Sequence, residues 1–201
     1  MIKVLLVEDQ AMVRGALVSL LGLEPDIEVV GEAASGQEAL TVALETKPDV
    51  VLLDIEMPGG DGITAGARIR EALPACQVMI LTTFGRPGYL RRAMEAGAVA
   101  FLVKDSPARE LAAAIRRVRD GERVIDPGLA AAALSAGPNP LSPRECDVLA
   151  AAVDGSTVGD IAVRLHLSEG TVRNYLSSAI QKTRARNRIE AVQRAQAQGW
   201  L

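Results

Sequence analysis

Five polar residues stand where short apolar runs end, and their types suit phosphoryl chemistry. Glu8 and Asp9 follow the run at 3–7, Asp54 follows 50–53, Thr82 follows 78–81 and Lys104 follows 100–103. Taken singly, each acid reads as a turn or cap residue. Taken together, three carboxylates brought close repel one another unless a cation joins them or a proton is taken up. A hard divalent ion with oxygen ligands, Mg2+ keeping several waters, suits that donor set. The Thr82 hydroxyl and Lys104 ammonium facing it would neutralise a transferred phosphoryl group, with Asp54 as the nucleophile that forms an acyl phosphate.

The elements that must position these residues follow from periodicity. Apolar runs at 3–7, 27–30, 50–53, 78–81 and 100–103 alternate with segments of helical spacing, such as Ala39, Val42, Ala43 and Leu90, Ala93, Met94. Near-continuous apolar strands belong to parallel sheets buried on both faces. Residues 1–120 are therefore expected to form an α/β doubly wound five-stranded parallel sheet, flavodoxin-like, with helices on both faces. Functional residues in such sheets collect at the carboxyl ends of strands near a switch in strand order. Residues 121–140 form a Pro/Gly-punctuated linker around an Ala-rich stretch at 129–136, expected to be a short helix.

Residues 141–201 predict a small all-α domain of four helices. Ser142-Pro143-Arg144-Glu145 is a capping box with proline at the first helical position, opening a helix to about residue 153. A second helix is expected at 158–165 and a third at 169–182, capped by Ser168. The link between them is His166-Leu167-Ser168, where the histidine is a connecting residue rather than a ligand. Asn187 with Glu190 opens a fourth helix that ends at Gly199. Two short helices joined by a three-residue link are the helix-turn-helix pattern.

Composition narrows the class. The 201 residues are 49% hydrophobic and 23% charged, an ordinary globular balance, and aromatics at 2% leave the cores to Ala, Val, Leu and Ile. The net charge of −3 is unevenly spread: 13 Lys/Arg against 17 Asp/Glu in residues 1–120, but 8 against 6 in residues 141–201. Such asymmetry suggests two domains with different partners. No apolar stretch reaches the roughly 18–20 residues of a membrane span, and no signal-peptide pattern precedes the acidic turn at Glu8. Cys76 and Cys146 make no metal pattern and read as reduced thiols, so a cytoplasmic protein without membrane insertion is expected.

The Glu8-Asp9, Asp54, Thr82, Lys104 set, with Asp54-Ile55-Glu56-Met57-Pro58-Gly59, resembles the receiver domain of two-component response regulators. The rear segment, from Leu141-Ser142-Pro143-Arg144-Glu145 through Leu167-Ser168-Glu169-Gly170-Thr171-Val172-Arg173-Asn174 to Asn187-Arg188, resembles a LuxR-type DNA-binding domain. Together they resemble the NarL/FixJ class along the whole chain. The stretch Leu81-Thr82-Thr83-Phe84-Gly85-Arg86-Pro87-Gly88-Tyr89 is similar to the membrane-fluidity (desaturase) regulators. The resemblance implies Asp54 as phosphoacceptor, and Mg2+ held by Asp9, Asp54 and the Glu56 carbonyl, with Glu8 acting through water. It implies Thr82 and Lys104 as phosphoryl partners and Phe101 at the aromatic switch position, where a buried strand residue is the alternative. Glu56 and Phe84 occupy positions that influence acyl-phosphate lifetime. Asp105 departs from the proline that many receivers carry after the lysine.

In a helix-turn-helix the exposed early residues of the second helix face base edges, while flanking hydroxyls and cations meet phosphates. Arg173, Asn174 and Ser177 are expected near bases of double-stranded promoter DNA, with Thr171 and Lys182 at phosphates. The resemblance further implies pairing through the last helix, where Ile189, Val192 and Ala195 supply a dimer face or pack on the domain's own core. The reading is a non-enzymatic regulator: a sensor histidine kinase phosphorylates Asp54, and homodimers then bind DNA. Two alternatives stand beside it. An Asp-nucleophile phosphatase normally carries an aspartate two positions after the nucleophile, where this chain has Glu56. A constitutive DNA binder would be expected to lack one of the pocket residues.

Overall fold

The computed structural model describes residues 1–201 apart from 58, 59, 84, 106 and 136–138. Pro58 and Gly59 of the Asp54 motif, Phe84, and Gly137 and Pro138 of the linker thus lie outside the described residues. In chain order the first elements are β1 (Ile2–Val7), α1 (Ala11–Leu21), β2 (Ile27–Ala33), α2 (Gly36–Thr46), β3 (Val50–Leu53), β4 (Glu56–Met57), β5 (Gly60–Asp61) and α3 (Gly62–Ala72). There follow β6 (Gln77–Thr82), α4 (Pro87–Glu95), β7 (Ala100–Val103), α5 (Ala108–Arg119), β8 (Val124–Ile125) and α6 (Pro127–Ser135). The last four are α7 (Pro143–Ala150), α8 (Val158–Leu165), α9 (Glu169–Lys182) and α10 (Arg188–Ala197). The chain divides into two compact units, Met1–Gly85 with Leu90–Ala130, and Arg86–Tyr89 with Ala131–Leu201. None of the described helices is long and apolar enough to cross a membrane.

The front unit is a parallel sheet of order β2-β1-β3-β6-β7-β8. Strand order reverses at β1, so the crevice between the carboxyl ends of β1 and β3 is the switch point where this fold class builds sites. All five expected strands are present. A sixth, the two-residue β8, extends the sheet from a segment assigned by sequence to the linker; it pairs with Ala100 and Phe101 and covers the edge of β7. Alternation divides the strand residues between two faces. On one face Val4, Leu6, Val50, Leu52, Met79 and Leu81 pack with Leu111, Ile115 and Val118 of α5 and Leu21 of α1. Residues of opposite parity, including Leu5, Leu53, Ile80 and Phe101, are equally buried.

The rear unit buries Val148 and Leu149 of α7, Ile161 of α8, Val172, Leu176 and Ala179 of α9, and Ala191, Val192 and Ala195 of α10. Its helix starts follow the sequence signals. Ser142 and Glu145 form the expected capping box, and Ser168 and Asn187 accept the expected cap bonds. Thr157 and Asp160 form a second capping box at α8. Helix α7 stops at Ala150, three residues before the expected end, and the chain leaves it in turns up to Gly155, which adopts a left-handed φ of 82°. His166 closes α8 in the left-handed conformation at φ 54°, so its backbone makes the turn into α9 and its side chain is exposed.

Candidate functional site

The front site is made by strand ends held level with one another. Val7 pairs with Leu53, Leu53 with Ile80, and Thr82 with Val103. The next residues continue that registry through backbone bonds: Asp54 N–H donates to the Val7 carbonyl at 3.0 Å, and Lys104 N–H to the Thr82 carbonyl at 2.8 Å. Glu8 and Asp54 are therefore carried to the same edge of the sheet, and both are almost fully buried, at 1% and 4% exposure. Below the loop after β3, Gly62 donates its N–H to the Ile55 carbonyl at 3.1 Å. A Cβ on Gly62 would stand 1.8 Å from the Asp54 carbonyl oxygen, so only glycine lets α3 begin this close to Asp54.

Lys104 reaches back into the acidic cluster. Its Nζ lies 2.6 Å from Glu8 Oε2 and 2.7 Å from Asp54 Oδ2. Burial opposes the ammonium's charge, but its bonds to Asp54 and Glu8 outweigh that and hold the Lys104 pKa above its ordinary value. The other Asp54 oxygen, Oδ1, accepts the Ile55 N–H at 2.7 Å. Carboxylate oxygens of Glu8, Asp9 and Asp54 lie within 4.8 Å of one another. Asp9 Oδ1 is buried and accepts no hydrogen bond. Three carboxylates against one ammonium leave two negative charges, and the orphaned Asp9 oxygen marks where a cation is wanted. The donor set is all oxygen, which fits a hard divalent ion.

Thr82 is buried at the carboxyl end of β6, the strand next to β3. Glu56 lies in β4 with its side chain exposed, two residues beyond Asp54. Phe101 is fully buried in β7, paired with Ile80 and Ile125. Sequence reading missed Arg14, which donates to the Glu8 carbonyl at 2.5 Å and pairs with Glu32 at 3.2 Å, fixing the turn that carries Glu8 and Asp9. No local signal distinguishes it from any other helix-surface arginine. An apolar cavity of about 330 Å³ opens beside Lys104, lined in part by Met12, Leu17 and Leu20 of α1 and by Leu102 and Leu111.

In the rear unit, α8 and α9 have the helix-turn-helix arrangement. Arg173, Asn174 and Ser177 are exposed on α9. Arg173 is held by Glu169 at 2.5 Å, an exposed pair of little energetic weight. Thr171 is half-buried, its hydroxyl 2.8 Å from that of Ser168. Lys182 pairs with Glu145 at 2.7 Å while its side chain stays 41% exposed. One expectation requires correction. Val192 and Ala195 are buried in the unit's own core, which leaves only Ile189, 64% exposed, of the three residues expected on a dimer face. Helix α10 has one apolar stripe, and the core takes it. Arg184, which sequence reading did not single out, is exposed just beyond α9 with no ion pair among the described residues.

Glu145 is the one buried carboxylate of the rear unit among the described residues, at 4% exposure. Burial pushes its pKa up, but Lys182, Ser178 and Ser142 overcome this and hold it down to about 2. A carboxyl with a folded pKa below its ordinary 4.5 stabilises the fold above that ordinary value, and the contribution is lost as pH falls through about 2. The rear unit is expected to melt at lower temperature near pH ~3 than near pH ~6. The readout is fluorescence of Trp200, the only tryptophan, which packs on this core. Glu145→Gln should cost about 2 kcal/mol at neutral pH and make that acid dependence shallower.

Two family matches cover these units. Residues 4–116 match the response regulator receiver domain, and residues 139–195 match bacterial regulatory proteins of the luxR family. The transcriptional regulatory protein DesR of Bacillus subtilis (strain 168) is 46% identical over 201 residues, covering all of both chains. The crystal structure of the response regulator ChrA, from a heme-sensing two-component system, aligns over 100% of this chain and 98% of that one at 34% identity and a TM-score of 0.59. A structure of an RcsB–DNA complex shares the fold at 24% identity and a TM-score of 0.67, covering 98% of each chain.

Proposed function

The chain belongs to the response regulators, a receiver domain followed by a LuxR-type DNA-binding domain, and on that premise we propose that a phosphoryl group on Asp54 switches its binding to promoter DNA. The observation that carries the reading is the convergence of Lys104 on Glu8 and Asp54 while the adjacent Asp9 oxygen stays buried and unpartnered. In phosphoryl transfer from a sensor kinase, an Asp54 carboxylate oxygen attacks phosphorus and the P–N bond of the donor phosphohistidine breaks. Glu8, Asp9, Asp54 and the Glu56 carbonyl would hold Mg2+, which when bound supplies positive charge to the transferring oxygens. Lys104 exchanges the Asp54 oxygen for a phosphoryl oxygen, and the Thr82 hydroxyl donates to another.

A phosphoryl group bound this way has different contacts in two conformations of the Thr82 and Lys104 loops, which any population switch requires. On this reading the chain catalyses only its own phosphorylation and dephosphorylation, and it works in the cytoplasm, where kinase and DNA meet. The DNA-binding unit carries few unpaired cations, so one copy should bind duplex weakly and two copies far better. The apolar side of α1, with Met12 87% and Leu20 41% exposed beside the cavity, supports pairing of receivers there.

Solution mass by light scattering tests the switch, with Mg2+ alone and with Mg2+ plus beryllofluoride, a mimic of aspartyl phosphate. A monomer-to-dimer shift is expected in the wild type and none in Asp54→Ala. An unchanged mass in both would remove dimerisation from the account.

A further inference from the structure

We propose that Glu145, Ser178 and Lys182 form a positioning unit that sets how α9 is presented to DNA, and that Lys182 acts through Glu145 rather than by touching a phosphate. The inference deepens the DNA-binding reading above and rests on it. Glu145 is buried at the start of α7, and both its oxygens are occupied. Oε1 accepts the Ser178 hydroxyl at 2.6 Å; Oε2 accepts Lys182 Nζ at 2.7 Å and the Ser142 N–H at 2.6 Å. One carboxylate thus closes the cap of α7 and grips α9 at two points one helical turn apart.

The geometry of the grip matters more than its strength. A one-residue slip of a helix moves it about 1.5 Å along its axis and turns it about 100°. Either motion would break both α9 bonds at once. The apolar contacts of Val172, Leu176 and Ala179 are non-directional and tolerate small rotations far better. Arg173, Asn174 and Ser177 project from α9 toward solvent, and hydrogen bonds to base edges weaken steeply with misalignment. Loosening the grip should therefore cost discrimination between sequences before it costs general affinity. A direct phosphate contact behaves in the opposite way, adding affinity to every duplex and about 0.9 to the slope of log affinity against log salt.

The experiment uses the full-length protein with Mg2+ and beryllofluoride. Affinities are measured across a salt series on two duplexes, one selected by the wild type from a randomised pool and one with the same bases scrambled. Lys182→Met and Glu145→Gln are each expected to lower the selected-to-scrambled ratio about tenfold, with the salt slope on the scrambled duplex unchanged. The double variant should be no worse than either alone, and Lys182→Arg should restore most of the ratio. Trp200 fluorescence establishes that each variant is folded; should either fail to fold, Ser178→Ala, which removes one bond to Oε1, is expected to shift the ratio the same way by a smaller factor. A Lys182→Met variant that keeps the ratio but loses about 0.9 of slope on both duplexes overturns the proposal and makes Lys182 a phosphate contact. A wild type with no salt-dependent affinity for any duplex overturns the DNA-binding reading itself, and the positioning role with it.

Discussion

Asp54→Asn is expected to lower phosphoryl uptake from acetyl phosphate and Mg2+ by more than about 10⁴-fold, the scale set by loss of a nucleophile. The variant keeps the shape of the side chain, so its effect can be assigned to the missing carboxylate oxygen. Ile55 N–H can still donate to an amide oxygen in place of Oδ1. Intact-mass spectrometry after brief exposure should show one phosphoryl group on the wild type and none on the variant. Glu8 and Asp9 are competing carboxylates in the same cluster, and the buried Asp9 oxygen has no hydrogen-bond partner. A phosphorylated Asp54→Asn chain would therefore point to Asp9 or to another acid as the acceptor, and peptide mapping would identify which. The phosphatase alternative makes a different prediction, steady turnover of a phosphomonoester with no stable adduct.

The second large effect concerns Lys104. Its ammonium is the counter-charge shown for Glu8 and Asp54, two carboxylates almost wholly out of water. Removing one member of a buried ion pair leaves the other charge uncompensated, at a cost of about 3 kcal/mol or more. Lys104→Met is expected to lose about that much stability in chelator, followed by circular dichroism during urea denaturation. Added Mg2+ should stabilise this variant more than it stabilises the wild type, because it then supplies positive charge that the protein has lost. A variant within about 0.5 kcal/mol of wild type in chelator would mean that the pocket relaxes or hydrates without its lysine. In the wild type the same pair adds an alkaline limit: the stabilisation is present below the ordinary lysine pKa of 10.5 and is lost as pH rises through the higher folded value.

The pocket was legible because strands advertise their ends. Four of the five apolar runs of the front unit, all but that at 27–30, are followed at once by a polar residue, and parallel registry carries those residues to one edge without any further coding. The helix starts of the rear unit were legible for a similar reason, since Ser142, Ser168 and Asn187 act within three residues of the groups they cap. What stayed hidden acts over distance or in too few residues. Glu145 and Lys182 are 37 positions apart, so nothing local announces the ion pair that joins α7 to the end of α9. Val192 and Ala195 lie on a stripe that serves equally for a core or for a partner, and periodicity cannot separate the two. Strand β8 has only two residues and no repeat to announce it. Arg14 holds a backbone carbonyl, a role no side-chain pattern predicts.

The central claim is that occupancy of Asp54 changes affinity for DNA. Its most direct test is binding of the full-length chain to a duplex selected from a randomised pool, measured at one fixed salt concentration with and without beryllofluoride in the presence of Mg2+. The account predicts at least about a tenfold gain in affinity for the wild type, within the usual range of coupling between two sites, and no gain for Asp54→Ala. Equal affinity in both states, or the same gain in the variant, would contradict it.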